Sequence, residues 1–331
     1  MAETLSAEYS YRWIEIVTGK MLIYLLSIFF YVYVLLRLAC SREKHFRSTY
    51  FMIYMWTGVF DVLLALATVY DTANFAVGFG PKWDWLLTIL KNLTGTNWYT
   101  HLWGGLLMST NQYLAIAFPG YFPMFFTRRK TALYLLIGFL LSQLINIELY
   151  FIPFKWVVQP DGFQLYSGRT QRISYIRTVS VCITMMCTAA NILLNAMTLY
   201  TLREKTRAEI RKRIQEKSLV VFQILNSILI FIEVAYEVLS ITGYLLADNI
   251  ISKFIYTQFP SFFFLMAVLN SFAMVILSRN VRVAIGLKFL ARPTEGSNVG
   301  PEVTSTMGGQ TRGQLRTTCR DRDASPTRRG S

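Results

Sequence analysis

Two glutamates four residues apart, Glu233 and Glu237, stand inside a long apolar run. That spacing puts both carboxylates on one helix face. Acids in such a run are costly unless paired, hydrated or neutralised, so the face turns inward, with one of the two able to hold a proton. They can contact a ligand or hydrogen-bond within a helix bundle, and both readings stay open. Trp98 and His101 share one face of another run, followed on the same stripe by Gly105, Met108 and Gln112. A small-molecule pocket can open between helices at such a place; an interfacial aromatic beside a packed histidine is the alternative. Asp61 is a lone acid in a third run, where insertion scales give a cost of about 2.5–3.5 kcal/mol. Glu148 and Arg177 can pair across helices or snorkel to an interface. Gly104 and Gly105, with Ser109 four after Gly105, permit close helix packing.

No residue set of an enzyme accompanies these groups. There is no nucleotide loop, no His-Glu-x-x-His and no nucleophile elbow. The chain holds only His45 and His101. Its four cysteines, Cys40, Cys182, Cys187 and Cys319, form no metal or disulfide pattern. No catalytic residue, cofactor or metal is expected.

The elements that must position these groups are apolar helices. The 331 residues are 53% hydrophobic and 16% charged, outside the usual balance of a soluble domain. A helix needs roughly 20 apolar residues to cross a bilayer. Seven runs qualify: Lys20–Ala39, Ser48–Tyr70, Trp98–Phe118, Thr131–Pro153, Ile176–Tyr200, Leu219–Leu246 and Phe254–Ser278. Ile176–Tyr200 carries Arg177, Asn191 and Asn195, so a re-entrant segment stays open there. The formal charge of +14 does not indicate a nucleic-acid partner, because the basic residues sit between apolar runs.

The loops set the orientation. One set holds Arg42, Lys44, Arg47, Arg128, Arg129, Lys130 and the basic stretch Arg203–Lys217; the other holds Arg12, Lys82, Lys91, Lys155, Arg169, Arg172 and Lys253 over longer loops. Positive residues favour the cytosol, so the first set is expected inside and the N-terminus outside. Trp13, Trp83, Trp85, Trp98 and Trp156 then fall near the outer edges, as an aromatic belt. The segment 201–218 reads as helical extensions into the cytosol. Val281, Ile285 and Phe289, with Arg282, Lys288 and Arg292, predict a surface helix. From Pro293 the chain lacks periodicity and reads as disordered. The expected organisation is residues 1–19 outside, a seven-helix domain over 20–278, an amphipathic helix over 279–292 and a cytosolic tail over 293–331. Asn92-Leu93-Thr94 is a glycosylation acceptor expected in an outer loop.

Asn111-Gln112-Tyr113-Leu114-Ala115-Ile116-Ala117-Phe118-Pro119 closes the third run. It resembles the Asp-Arg-Tyr-Leu-Ala-Ile-x-x-Pro stretch of rhodopsin-like G-protein-coupled receptors, with Asn111 for Asp and Gln112 for Arg. Asn270-Ser271-Phe272-Ala273-Met274 resembles their Asn-Pro-x-x-Tyr region, with Ser271 for Pro and Met274 for Tyr. Asp61 stands where they carry an intramembrane Asp. Their Trp-x-Pro in the sixth helix and their outer disulfide are absent. The mixture, with Leu277-Ser278-Arg279 after the seventh run, is similar to nematode serpentine chemoreceptors of classes gamma (Srg) and V (Srv) from about Lys20 to Phe289.

The resemblance implies an all-α seven-helix receptor of the plasma membrane, with a sensory cilium as one candidate place. It would detect a small extracellular ligand and signal to a heterotrimeric G protein. Asp61 and Asn270 would share a polar network. Asn111, Gln112, Tyr113 and Glu216 would form the switch end. Gln112 carries no charge, so the ion pair of the resembled receptors cannot form, and Glu216 would turn to Lys212 or Arg213. Trp98, His101, Glu233 and Glu237 are the candidate ligand contacts. The competing reading is a multi-pass transporter or channel using the paired glutamates as a proton relay.

Overall fold

The computed structural model describes residues 2–77, 81–158, 164–167, 170–206, 214–245 and 249–287. Among these, seven helices are long: α1 (Ala2–Ala39), α2 (Thr49–Val77), α3 (Asp84–Ala117), α5 (Arg128–Ile145), α6 (Thr170–Thr206), α7 (Ile214–Leu245) and α8 (Asn249–Leu277). Two are short: α4 (Phe122–Phe125) and α9 (Arg279–Ala284). A hairpin of β1 (Lys155–Val158) and β2 (Gln164–Ser167) pairs antiparallel, Lys155 opposite Ser167.

Among the described residues, four stretches are long and apolar enough to cross a membrane by length and composition: Gly19–Ala39, Thr49–Asn74, Thr178–Glu204 and Val221–Gly243. Ser261–Leu277 is a shorter apolar stretch. Large apolar side chains also cover the outside of the bundle, among them Phe29, Leu140, Met186 and Ile276. Water would not tolerate so wide an apolar surface, whereas lipid solvates it.

Local chemistry sets the helix ends. Thr127 caps α5 by accepting from the Lys130 backbone N–H at 3.3 Å. Pro119 follows the end of α3, where a helix cannot readily continue. Ser278 caps α9 by accepting from the Val281 N–H at 3.4 Å. Gly286 closes α9 at φ +89°, with Leu287 N–H donating to Arg282 O at 2.8 Å.

Several expected boundaries move. α3 begins at Asp84 rather than near Trp98. Its early turns carry Asp84, Lys91 and Asn92 among apolar residues, and Lys91 donates to Asp71 of α2 at 2.5 Å, which satisfies the charge inside the bundle. Lys91 and Asn92 are therefore helical, not in a loop. α5 stops at Ile145 rather than near Pro153, and a 3₁₀ turn over Ile147–Phe151 follows. At this end the Asn146 amide turns back to Ser142 O at 2.8 Å. α6 is one continuous helix, with Asn191 and Asn195 buried inside the bundle rather than in a re-entrant loop. The helix expected over 279–292 is six residues long in its described part and ends at Gly286; Val281 and Ile285 pack into the core instead of lying on a surface. Phe289 and the tail from Pro293 lie outside the described residues.

Close approach is tightest at two glycines. A Cβ on Gly104 would fall 1.9 Å from Cγ2 of Thr57, so α2 and α3 touch there with no room for a side chain. A Cβ on Gly138 would fall 2.0 Å from Cδ1 of Trp103, whose indole N–H donates to Tyr134 O at 2.9 Å and fixes α3 against α5. In lipid the apolar effect does not drive helix association, so such steric fits and interhelical hydrogen bonds carry it.

Candidate functional site

Among the described residues the core has two large apolar clusters and a small third one around Leu87, Ile152 and Phe154. One large cluster gathers Val34, Tyr54, Met108, Phe222 and Met274. The other gathers Ile28, Leu64, Trp98, Ile230 and Ala267. On α1, α2, α7 and α8 the chain passes between these two clusters at a polar residue, Tyr31, Asp61, Asn226 and Asn270, and on α3 His101 lies at the edge of the second cluster beside Leu102. A polar layer therefore crosses the bundle between two apolar ones.

Asp61 is at the centre, 1% exposed. Its Oδ2 accepts from Tyr31 O–H at 2.8 Å and from the Asn270 side-chain amide at 3.4 Å. Its Oδ1 lies 2.7 Å from Nδ1 of His101. Nε2 of His101 lies 3.3 Å from Oδ1 of Asn226 and 3.5 Å from Nδ2 of Asn270. A buried carboxylate with this many donors is held rigidly, because losing any partner strands a polar group away from water. The layer joins five helices through one carboxylate and one imidazole.

Polar contacts continue along the bundle on the Gln112 side of His101. Ser109 donates to Oε1 of Gln223 at 3.4 Å, and the Gln223 amide donates to Tyr50 O–H at 3.0 Å. The Asn195 amide donates to Oγ of Ser227 at 2.9 Å. Asn111 donates to Oγ1 of Thr49 at 2.9 Å. Gln112, 6% exposed, has no hydrogen-bond partner on either amide atom among the described residues. Tyr113 packs edge-on against Phe118 with ring centroids 5.9 Å apart.

On the other side of the layer, Trp98 lies edge-on to Phe263 of α8 at 5.9 Å and donates to Oγ1 of Thr184 on α6 at 3.4 Å. Its ring stacks on that of His101 at 6.3 Å. The structure thus brings together His101, Asp61 and Asn270, which the sequence reading assigned to two separate sites. Both ring nitrogens of His101 face protein groups. The side chains of Glu233, Glu237, Glu216 and Arg177 lie outside the described residues, and Glu148 is exposed.

Asn92 requires a correction. It lies within α3, is fully buried and donates to Thr88 O at 2.9 Å. An acceptor for glycosylation must be accessible in a loop, and this one is neither. Sequence reasoning also missed Tyr31, Asn226, and the Asp71–Lys91 pair. Polar side chains in mid-run were the available signal for Tyr31 and Asn226, but each meets its partners across helices far apart in sequence.

A bundle of long helices with an apolar exterior and a satisfied polar layer inside is the architecture of a membrane-embedded protein. The chain matches the family described as serpentine type 7TM GPCR chemoreceptor Srv over residues 20–289, and it belongs to that family. Of the two nematode groups that the sequence resembles, the match is to class V. It is a family of receptors rather than enzymes. No curated protein matches the chain.

Proposed function

We propose that this chain is a G-protein-coupled chemoreceptor of the plasma membrane. α1, α2, α3, α5, α6, α7 and α8 span the bilayer, with the N-terminus outside and the tail in the cytosol. A small extracellular ligand binds beside Trp98, where Glu233 and Glu237 of α7 are further candidate contacts, and His101 lies directly beneath. A heterotrimeric G protein binds at the opposite end, around Asn111, Gln112, Tyr113 and Glu216. The observation that carries this reading is the Asp61–His101 layer: it joins α1, α2, α3, α7 and α8 midway, so a shift at one end is felt at the other.

The orientation has support of its own. Arg128 donates to Arg47 O at 2.9 Å, and Arg37 donates to Ala284 O at 3.0 Å, so the basic segments gather at one end of the bundle. That end faces the cytosol by the charge rule. The transporter alternative draws no support from the family, which is one of receptors.

The test is nucleotide exchange on a co-reconstituted heterotrimeric G protein during a screen of small water-soluble and volatile compounds. A compound that accelerates exchange only in vesicles holding the chain supports the reading. Compound flux across those vesicles without exchange would replace it with the transporter. Glu237→Gln should then shift the potency of that compound while leaving surface expression intact. A tag after Ser331 should label only permeabilised cells.

A further inference from the structure

Asp61 sits in the middle of the bundle, and an ionised carboxylate there needs a compensating charge. The nearest basic group is His101. Lys91, the other basic residue buried in this half of the bundle, is held by Asp71 at 2.5 Å. Among the described residues, the remaining titratable groups near Asp61 are Tyr31 and, about two turns back along α2, Tyr54; phenols add no positive charge.

With Asp61 ionised, donor and acceptor accounting fixes what His101 must carry. Nδ1 then faces a bare carboxylate oxygen at 2.7 Å and holds a proton. Nε2 faces the carbonyl oxygen of Asn226 at 3.3 Å, an acceptor. The amide of Asn270 is farther from Nε2, at 3.5 Å, and also donates to Asp61 at 3.4 Å. Nε2 therefore meets its closer partner only if it also carries a proton. Beside an ionised Asp61, a neutral imidazole with its single N–H would leave one of the two acceptors without a donor; the neutral arrangement, a protonated Asp61 donating to Nδ1, would instead leave that ring nitrogen bare.

We propose that His101 and Asp61 form a buried proton-binding site, in which both ring nitrogens of His101 are protonated and the resulting imidazolium is the counter-ion of the Asp61 carboxylate. The bundle thus supplies the cation of its own polar layer. The extra proton comes from solvent, and no bond other than N–H changes. The charged tie joins α2 to α3, and the second N–H extends it to α7. Rotation of α7 that withdraws Asn226 removes one of the two acceptors.

The chain is suited to a direct test because it has only two histidines. His45 lies in the turn Lys44–Arg47, outside the layer. In a His45→Gln variant, nitrogen NMR of isotope-labelled histidine reports His101 alone. The sample is the full chain in phosphatidylcholine nanodiscs at about pH 7.5, one unit above the ordinary imidazole value of roughly 6.5. The expected spectrum has two protonated ring nitrogens and no bare one. A bare nitrogen signal would overturn the proposal, whatever the protein's ligand or signalling partner. Adding Asp61→Asn should convert the ring to one protonated and one bare nitrogen; an imidazolium that survives Asp61→Asn would also overturn it. Should that second variant not fold, the His45→Gln spectrum alone decides.

Discussion

His101 and Gln112 lie on one helix, eleven residues and roughly 16 Å apart, and are both buried. Both ring nitrogens of His101 have partners on neighbouring helices. Gln112 has no partner on either amide atom among the described residues. The difference separates two uses of a polar group inside a bundle. A satisfied one specifies a single packing, since every displacement strands a donor or an acceptor. An unsatisfied one gains from displacement, because movement can bring it a partner. The layer around His101 is on this account the fixed part of the receptor, and the end around Gln112 the exchangeable part.

The largest expected effect breaks the fixed part. Asp61→Ala removes the acceptor of Tyr31, His101 and Asn270 together, and should cost about 3–5 kcal/mol, as the loss of one partner of a buried pair does. Thermal melting in detergent should show little or no folded protein. Asp61→Asn keeps the shape and part of the bonding. It should fold, with a lower melting point and an altered level of basal nucleotide exchange. Unchanged basal exchange in that variant would confine Asp61 to structure.

Next in size is Gly104→Ala, between the two residues on α3. Its Cβ meets the Thr57 methyl, and overpacking of this kind costs about 1–3 kcal/mol. Pairing it with Thr57→Ser should restore most of the melting point. No rescue would mean that the α2–α3 contact is not set by this fit.

Gln112→Leu sharpens the contrast from the other side. Removing an unpartnered amide should raise stability by about 1 kcal/mol, whereas Asn226→Leu, which strips an acceptor from His101, should lower it. Melting midpoints that move in the same direction would dissolve the distinction between the two regions. Gln112→Arg offers a charge to Glu216 and should lower basal exchange, an effect that Glu216→Ala should cancel in a double-mutant cycle.

The smallest effect lies outside the layer. His45 packs edge-on against Phe46 and Phe51, and burial pushes its imidazole below 6.5, offset in part by the charge of Glu43. Its neutral form therefore favours folding. That contribution is full above pH 6.5 and is lost as the pH falls through the lowered folded value. His45→Gln should flatten this acid-side slope in melting midpoint against pH.

Much of the helical architecture was legible because apolar run length is a local property. Each of the seven runs corresponds to a long helix. The ends of three were not legible. α1 reaches back to Ala2 rather than beginning near Lys20. α3 extends back to Asp84 through Lys91, whose charge is satisfied by Asp71 on another helix; α5 ends at Ile145 although apolar residues continue, because the Asn146 amide folds back onto Ser142 O. The site was legible only in pieces. Motif resemblance linked Asp61 with Asn270, and the structure puts them 3.4 Å apart. Nothing local tied His101 to Asp61, because they are forty residues apart in sequence and meet only when α2 and α3 pack. Asn92 failed for the same reason: its sequence motif is short, and its burial is a property of the whole bundle.

The most direct test of this division compares wild type and Gln112→Leu in the same reconstituted vesicles, measuring nucleotide exchange on a heterotrimeric G protein alongside the melting midpoint. The account predicts that the wild-type chain accelerates exchange over chain-free vesicles, while Gln112→Leu melts higher and accelerates it no more than vesicles without the chain. A Gln112→Leu protein that melts higher yet drives exchange at the wild-type rate would contradict it.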